Sequence, residues 1–293
     1  MLGGGVALRL TRVHWSRTIA FRAFDFCCAL SWLQCGRIVQ ILLTNDDGVY
    51  APGLQALRRE LQRLGDVTVV APAGEQSAVG HSITLLTPLI VQDVLDDTEK
   101  PMGWAVEGRP ADCVKLALLE LLPEPPDLVV SGLNAGSNAG INVLYSGTVA
   151  AAIEGAFFQR PSVAVSLEYR KPKPLDFRHA AEIAASVIEQ ILRQNPAGGT
   201  LFNINIPSPE KWPVRGVRVS PQNVAPYTES FDRRVDPRGR VYFWSGPDFG
   251  CPEPHPDTDV TALAEGYVTV TPLQFNLTDA VLLEKMKSWK WNV

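Results

Sequence analysis

Ile38 to Ala71 reads IVQILLTNDDGVYAPGLQALRRELQRLGDVTVVA. Ile38 to Thr44 is an almost continuous apolar run, as expected of a strand covered on both faces. A polar turn follows. Pro52 to Leu64 then places leucine at positions 54, 57, 61 and 64, one face of a helix. Pro52 suits the first helical turn and Gly65 suits the stop. Val67 to Ala71 is a second buried strand. Strand, helix and strand in about 35 residues make a βαβ unit, whose crossover is right-handed.

The alternation continues outward from this unit. Ser82 to Val94 is β-rich around Pro88, which predicts a hairpin or bent strand pair. Pro110 to Leu122 reads as a helix and Asp127 to Ser131 as a buried strand. The Ala-rich Gly147 to Gln159 is helical, Ser162 to Ser166 is β, Ala180 to Gln194 is helical, and Thr200 to Ile206 is β. Such alternation predicts an α/β fold built on a mostly parallel, doubly wound sheet. After Pro207 proline, glycine and aromatic residues become frequent. Arg233 to Arg240 reads as the tip of a long hairpin, an arm suited to packing against a second subunit. Tyr267 to Pro272 closes the chain as a strand, and Asp279 to Trp289 as a helix. The core is therefore expected over about residues 38–206, with the arm and closing elements over about 207–293.

Bulk properties narrow the function classes. Of the 293 residues, 46% are hydrophobic and 20% charged, which excludes global disorder. A net charge of −4 disfavours a nucleic-acid polymer as partner. Residues 1–37 differ from the rest. They hold five arginines and one acid, and their apolar stretch, Ile19 to Leu33, is broken by Arg22 and Asp25. That stretch is too short for a membrane span. The expectation is a poorly ordered extension, or translated sequence upstream of the true start, with a targeting peptide as the alternative. The five cysteines form no C-x-x-C pattern and no disulfide framework, which suits a reducing cytoplasm.

Chemistry gathers in four segments that follow strands. In Thr44-Asn45-Asp46-Asp47-Gly48, two adjacent carboxylates lie past the carboxyl end of the first strand, where ligands bind in open α/β sheets. Side-by-side anions repel, and a divalent cation removes the conflict. Oxygen donors without histidine or cysteine suit Mg²⁺, Mn²⁺ or Ca²⁺. The second segment, Glu75-Gln76-Ser77-Ala78-Val79-Gly80-His81-Ser82, offers Ser77 as a neutral donor. The third, Ser131 to Gly140, holds Asn134 and Asn138 among glycines. It matches neither a Walker motif nor G-x-G-x-x-G. In the fourth, Ser146 caps the Ala-rich helix at Gly147 and Thr148, where free N–H groups and the helix dipole favour an anion. Each segment alone is also an ordinary turn. Four of them on one sheet edge suit a phosphate ester held between metal and backbone amides.

These residues resemble the SurE family (survival protein E), metal-dependent 5′/3′-nucleotidases. The resemblance runs from Ile38 to about Val293. It rests on Thr44-Asn45-Asp46-Asp47-Gly48, on Glu75-Gln76-Ser77, on Ser131-Gly132-x-Asn134-x-Gly136-x-Asn138, on Ser146 to Gly155, and on Gly266 to Leu273. It implies a Rossmann-like core. It also implies one divalent metal ion per subunit, Mg²⁺ or Mn²⁺ with Ca²⁺ as a further option, held by Asp46, Asp47, Ser77 and Asn134. Nucleoside monophosphates become the expected substrates, with Asn138, Ser146, Gly147 and Thr148 on the phosphate side. A homodimer or homotetramer built by arm exchange becomes the expected assembly.

The chain departs from the family pattern in its extension and at Arg109, where family members carry threonine before Pro110-Ala111-Asp112-Cys113-Val114. Threonine would cap the following helix, a contribution of about 1 kcal/mol that arginine cannot make. Local pairing of Arg109 with Glu107 or Asp112 is the expectation, with a substrate phosphate as the alternative partner. As chemistry, Asp46 or Asp47 accepts the proton of an attacking water while Ser146 to Thr148 hold the phosphate. A broader phosphomonoesterase or exopolyphosphatase, and a nucleotide sensor without turnover, are the alternatives. His14, His81, His179 and His255 are given no catalytic role, and Asp259 and Asp279 are read as structural.

Overall fold

The computed structural model describes residues 38–169, 175–226, 228–245 and 254–291. The extension over residues 1–37 lies outside the described residues. Eleven strands and six α-helices are named here in chain order. They are β1 (Val39–Thr44), α1 (Pro52–Leu61), β2 (Gly65–Pro72), β3 (Val91–Leu95), β4 (Pro101–Val106), α2 (Pro110–Leu116) and β5 (Leu128–Ala135). There follow α3 (Gly147–Phe157), β6 (Ser162–Leu167), α4 (Arg178–Leu192), β7 (Leu201–Ile206), β8 (Val217–Val219), β9 (Phe231–Val235), β10 (Val241–Ser245), α5 (Asp259–Ala264), β11 (Val268–Leu273) and α6 (Ala280–Met286).

Nine strands form one sheet in the order β3-β4-β2-β1-β5-β6-β7-β11-β8. Its centre, from β4 to β7, is parallel. β3 and β11 join antiparallel. The unbroken apolar run of β1 now has its reason. Val39, Ile41 and Leu43 pack on the face carrying Leu54, Leu57 and Leu61 of α1 and Ala184 and Ile188 of α4. Leu42 packs on the opposite face with Cys113 and Val114 of α2 and Ala151 of α3. Helices thus cover both faces, as a doubly wound sheet requires. Burying each such leucine contributes about 1.5–3 kcal/mol.

The winding direction changes at β1. The chain moves from β1 to β2 on one side, and resumes at β5, β6 and β7 on the other. The crevice outside the carboxyl ends of β1 and β5 is therefore the switch point of the sheet.

Two expectations need correction, and a third, the helix from Pro110, is met and refined. The hairpin is not centred on Pro88. It is β3 and β4, joined at Asp96, whose carboxylate accepts the N–H groups of Thr98 and Lys100. Residues 82–90 pair with no strand, because Pro88 lacks the ladder donor. The strand expected to end at Ser131 runs on to Ala135, with a register shift against β6 between Ser131 and Asn134. Gly132 lies in this stretch at φ +143, and the Gly132–Leu133 peptide is cis. Last, α2 continues as a π-helical turn over Ala117–Leu121. The arm matches its expectation: β9 and β10 pair as a separate two-stranded sheet with the turn at Asp236–Arg240.

Candidate active site

The turn after β1 is built by Asn45. Its side chain donates to the Gly48 carbonyl (2.9 Å) and accepts the Gly48 N–H (3.2 Å). Gly48 sits at φ +103, which a residue with a Cβ rarely adopts. This closed loop projects Asp46 and Asp47 into the crevice.

Three other segments meet the pair. Gln76 N–H donates to the Asp46 carbonyl (2.7 Å), docking the loop after β2. Thr148 Oγ1 donates to Asp46 Oδ1 (2.6 Å), and the Thr148 N–H adds a second bond. The N–H of Ala135, at the end of β5, donates to Asp47. The start of α3 presses directly on Asp46: a Cβ on Gly147 would lie 2.9 Å from the Cβ of Asp46. Glycine is the residue that permits this approach. Ser146 accepts the Val149 N–H (3.0 Å), the expected N-cap.

Electrostatically the pair is under stress. Burial raises the Asp46 carboxyl above its ordinary range, against the bonds from Thr148, and the charge of Glu75 raises it further. Burial, then the charge of Asp46, push Asp47 up to about 6, with Glu75 adding a smaller push. Among the described residues no lysine or arginine offsets these charges. Nor do three or more His, Cys, Asp or Glu side chains converge on one point among them. Two carboxylates with neutral oxygens form a hard donor set that fits Mg²⁺, Mn²⁺ or Ca²⁺.

The two neutral candidates face their own loops. Ser77 Oγ donates to Glu75 (2.6 Å), and Asn134 Nδ2 donates to the Gly136 carbonyl (2.7 Å). Their chain neighbours Gln76 and Ala135 touch the aspartates; no hydrogen bond joins Ser77 or Asn134 to them. Asn138 is buried, and its Nδ2 donates to Ser166 (2.8 Å). Thr148, expected on the phosphate side, has its hydroxyl on Asp46. The reading of the sequence did not single out Glu75. Its signal was there, a third carboxylate two residues before Ser77.

Arg109 corrects a further expectation. Its guanidinium donates to the side-chain oxygen of Gln76, not to Glu107 or Asp112. Asp112 is already engaged by the N–H groups of Arg109 (2.9 Å) and Thr84 (3.0 Å). It caps α2 from its third position, the half of the capping box that does not depend on threonine. His81 pairs with the buried Glu154 (2.8 Å) and stacks on Phe157. Glu154 lies two turns along α3 from Gly147, roughly 10 Å at 1.5 Å per residue. His81 lines a cavity that Ser146 also lines. His179 is exposed at the start of α4, beside Trp212.

The family model described as Survival protein SurE matches residues 41–229, a span containing all of these loops. The chain belongs to the SurE family. A 5′-nucleotidase SurE of Rhodopirellula baltica is 56% identical over 252 residues, covering 86% of this chain and 98% of that protein. A 5′-nucleotidase SurE of Pelotomaculum thermopropionicum is 46% identical, covering 85% and 94%. The crystal structure of the SurE protein from Aquifex aeolicus superposes with a TM-score of 0.72 at 37% identity, covering 84% of this chain and 98% of that one. The SurE assignment thus rests on sequence and fold together.

Proposed function

We propose that this SurE chain is a metal-dependent 5′-nucleotidase. It hydrolyses nucleoside 5′-monophosphates, and 3′-monophosphates as a second substrate class, to nucleoside and phosphate. The observation that carries the reading is the pair of buried Asp46 and half-buried Asp47, set at the switch point of the sheet against the N-terminus of α3 with no cationic partner among the described residues. The names of the relatives point the same way. Asp46 and Asp47 would hold the metal as anionic ligands, with Ser77 and Asn134 as the neutral oxygen donors. A bound divalent ion would neutralise phosphoryl oxygens and lower the pKa of a water.

The chain's own groups do the rest. Thr148 fixes the orientation of Asp46. Asp46 or Asp47 takes the proton of the attacking water. Ser146, Gly147 and the first turn of α3 present a positive dipole end to the phosphate, and Asn138 lines the same side. As the water oxygen bonds to phosphorus, the ester oxygen leaves with the bond electrons and takes a proton from solvent, and the aspartate returns its own proton to solvent. The exposed arm, with Phe231, Phe243 and Trp244 open to solvent, suits a second copy of the chain in a homodimer or homotetramer. A cytosolic setting agrees with Cys113, a buried free thiol. No helix among the described residues is long and apolar enough to cross a membrane.

The test is phosphate release from AMP, GMP and a nucleoside 3′-monophosphate with Mn²⁺ or Mg²⁺, with and without EDTA. Release abolished by EDTA supports the enzyme. Nucleotide binding without release would replace it by a sensor.

A further inference from the structure

Behind the loop that leads to Ser146, the sheet floor is polar where a core is normally apolar. Asn203 and Asn205 on β7 are fully buried, as is Ser166 on β6. By strand alternation they share a face, opposite Ile204 and Ile206, which join the α1 side. Asn205 Oδ1 accepts the Asn138 N–H (2.7 Å), and Asn203 Nδ2 donates to the Asn138 carbonyl (2.8 Å). Two residues on, Asp259 accepts the Gly140 N–H (2.8 Å), and Gln222 donates to the Gly140 carbonyl (2.8 Å). Both backbone groups of Asn138 and both of Gly140 are therefore held by side chains from later in the chain. Asp259 is itself fixed by the N–H groups of Asn223 and Val260 (2.8 Å each).

This grip is a costly way to build a core. Asn203 Oδ1, and the hydroxyls of Thr269 and Thr271 opposite Asn205 and Asn203, are buried and have no hydrogen-bond partner among the described residues. Unpartnered buried polar atoms lower stability, and an apolar floor would be more stable. Their retention suits a loop whose exact placement matters more than stability. The gripped loop runs from Asn138 through a 3₁₀ turn, Gly140–Leu144, into the Ser146 cap of α3.

We infer that Asn203, Asn205 and Asp259 are positioning residues for the substrate's phosphate, acting through the backbone of Asn138 and Gly140. The inference rests on the phosphate side proposed above. A pre-placed loop contributes binding that is equal in the ground state and transition state, so losing it raises KM more than it lowers kcat.

The test compares Asn203→Asp, Asn205→Ala and Asp259→Asn with wild type, at a temperature where each is folded by circular dichroism. Thr269→Val is the control, since it touches the same floor but not the loop. Amide hydrogen exchange over residues 134–146 should quicken at least tenfold in the three variants, and stay unchanged over 52–61. KM for AMP and the inhibition constant of inorganic phosphate should rise at least tenfold, with kcat within about threefold. Unchanged exchange, or quickened exchange with wild-type KM and phosphate inhibition, overturns the inference. So does an equal KM rise in Thr269→Val. If wild type releases no phosphate from AMP, the nucleotidase reading fails instead. Exchange and calorimetric binding of inorganic phosphate then still decide the inference: quickened exchange with tenfold weaker binding upholds it, and unchanged binding overturns it.

Discussion

At the end of β1, carboxylates lie packed against a helix N-terminus and each other, and no lysine or arginine among the described residues offsets them. Along β7, the amide side chains of Asn203 and Asn205 are fully buried and hold a neutral backbone by complementary bonds. The two regions form one crevice edge, but opposite kinds of preparation. The first is left short of positive charge, which suits a cation that arrives. The second has its bonds to the loop made already, so it is ready before anything arrives. A phosphate ester needs both, a cation for its charge and a rigid frame for its oxygens.

The sharpest way to break the comparison is at the charged end. Asp46→Asn removes one of two anionic donors and should cut AMP hydrolysis by roughly 10²–10³, the scale of losing one charge-stabilising group. Circular dichroism should show the fold intact, since asparagine can still accept from Thr148. Near-normal turnover by the folded variant would remove Asp46 from the site. Gly147→Ala probes the seam, because its new Cβ would lie 2.9 Å from that of Asp46. It should destabilise by about 1–3 kcal/mol, as overpacking does, and lower metal-dependent turnover. Urea denaturation with a parallel AMP assay checks both effects.

Smaller changes sharpen the contrast. Ser146→Ala removes the bond to Val149 N–H and should cost about 1 kcal/mol in urea denaturation. An unchanged midpoint would mean the cap is not worth its geometry. The smallest effect tests the shortage of positive charge. The folded pKa of Asp47 is raised from its ordinary 3.8 to about 6, so its ionised form opposes folding. That cost is absent below the ordinary value and fully present above the raised one. Metal-free wild type therefore loses stability as pH rises through this window. With solvent screening of this half-buried group the loss is below about 1 kcal/mol. Asp47→Asn in EDTA should melt slightly higher than wild type at pH 7 and no higher at pH 4. A difference independent of pH would refute the assigned cause.

Sequence alone determined the elements whose signal is local. The apolar run of β1, the leucine spacing of α1 and the Ser146 cap are set by residues within a few positions of one another. So is the hairpin tip at Asp236–Arg240. It also marked the four loops, because strand ends predict where a parallel sheet exposes ligand groups. What it could not assign was partnership. Thr148 binds Asp46 across 102 positions, Asn203 and Asn205 hold Asn138 across 65 and 67, and Asp259 holds Gly140 across 119. Arg109 turned to Gln76 because Asp112 was already taken by backbone donors. Such bonds depend on which strands become neighbours, and on which donors are left once nearer groups are satisfied. Only the assembled sheet decides both.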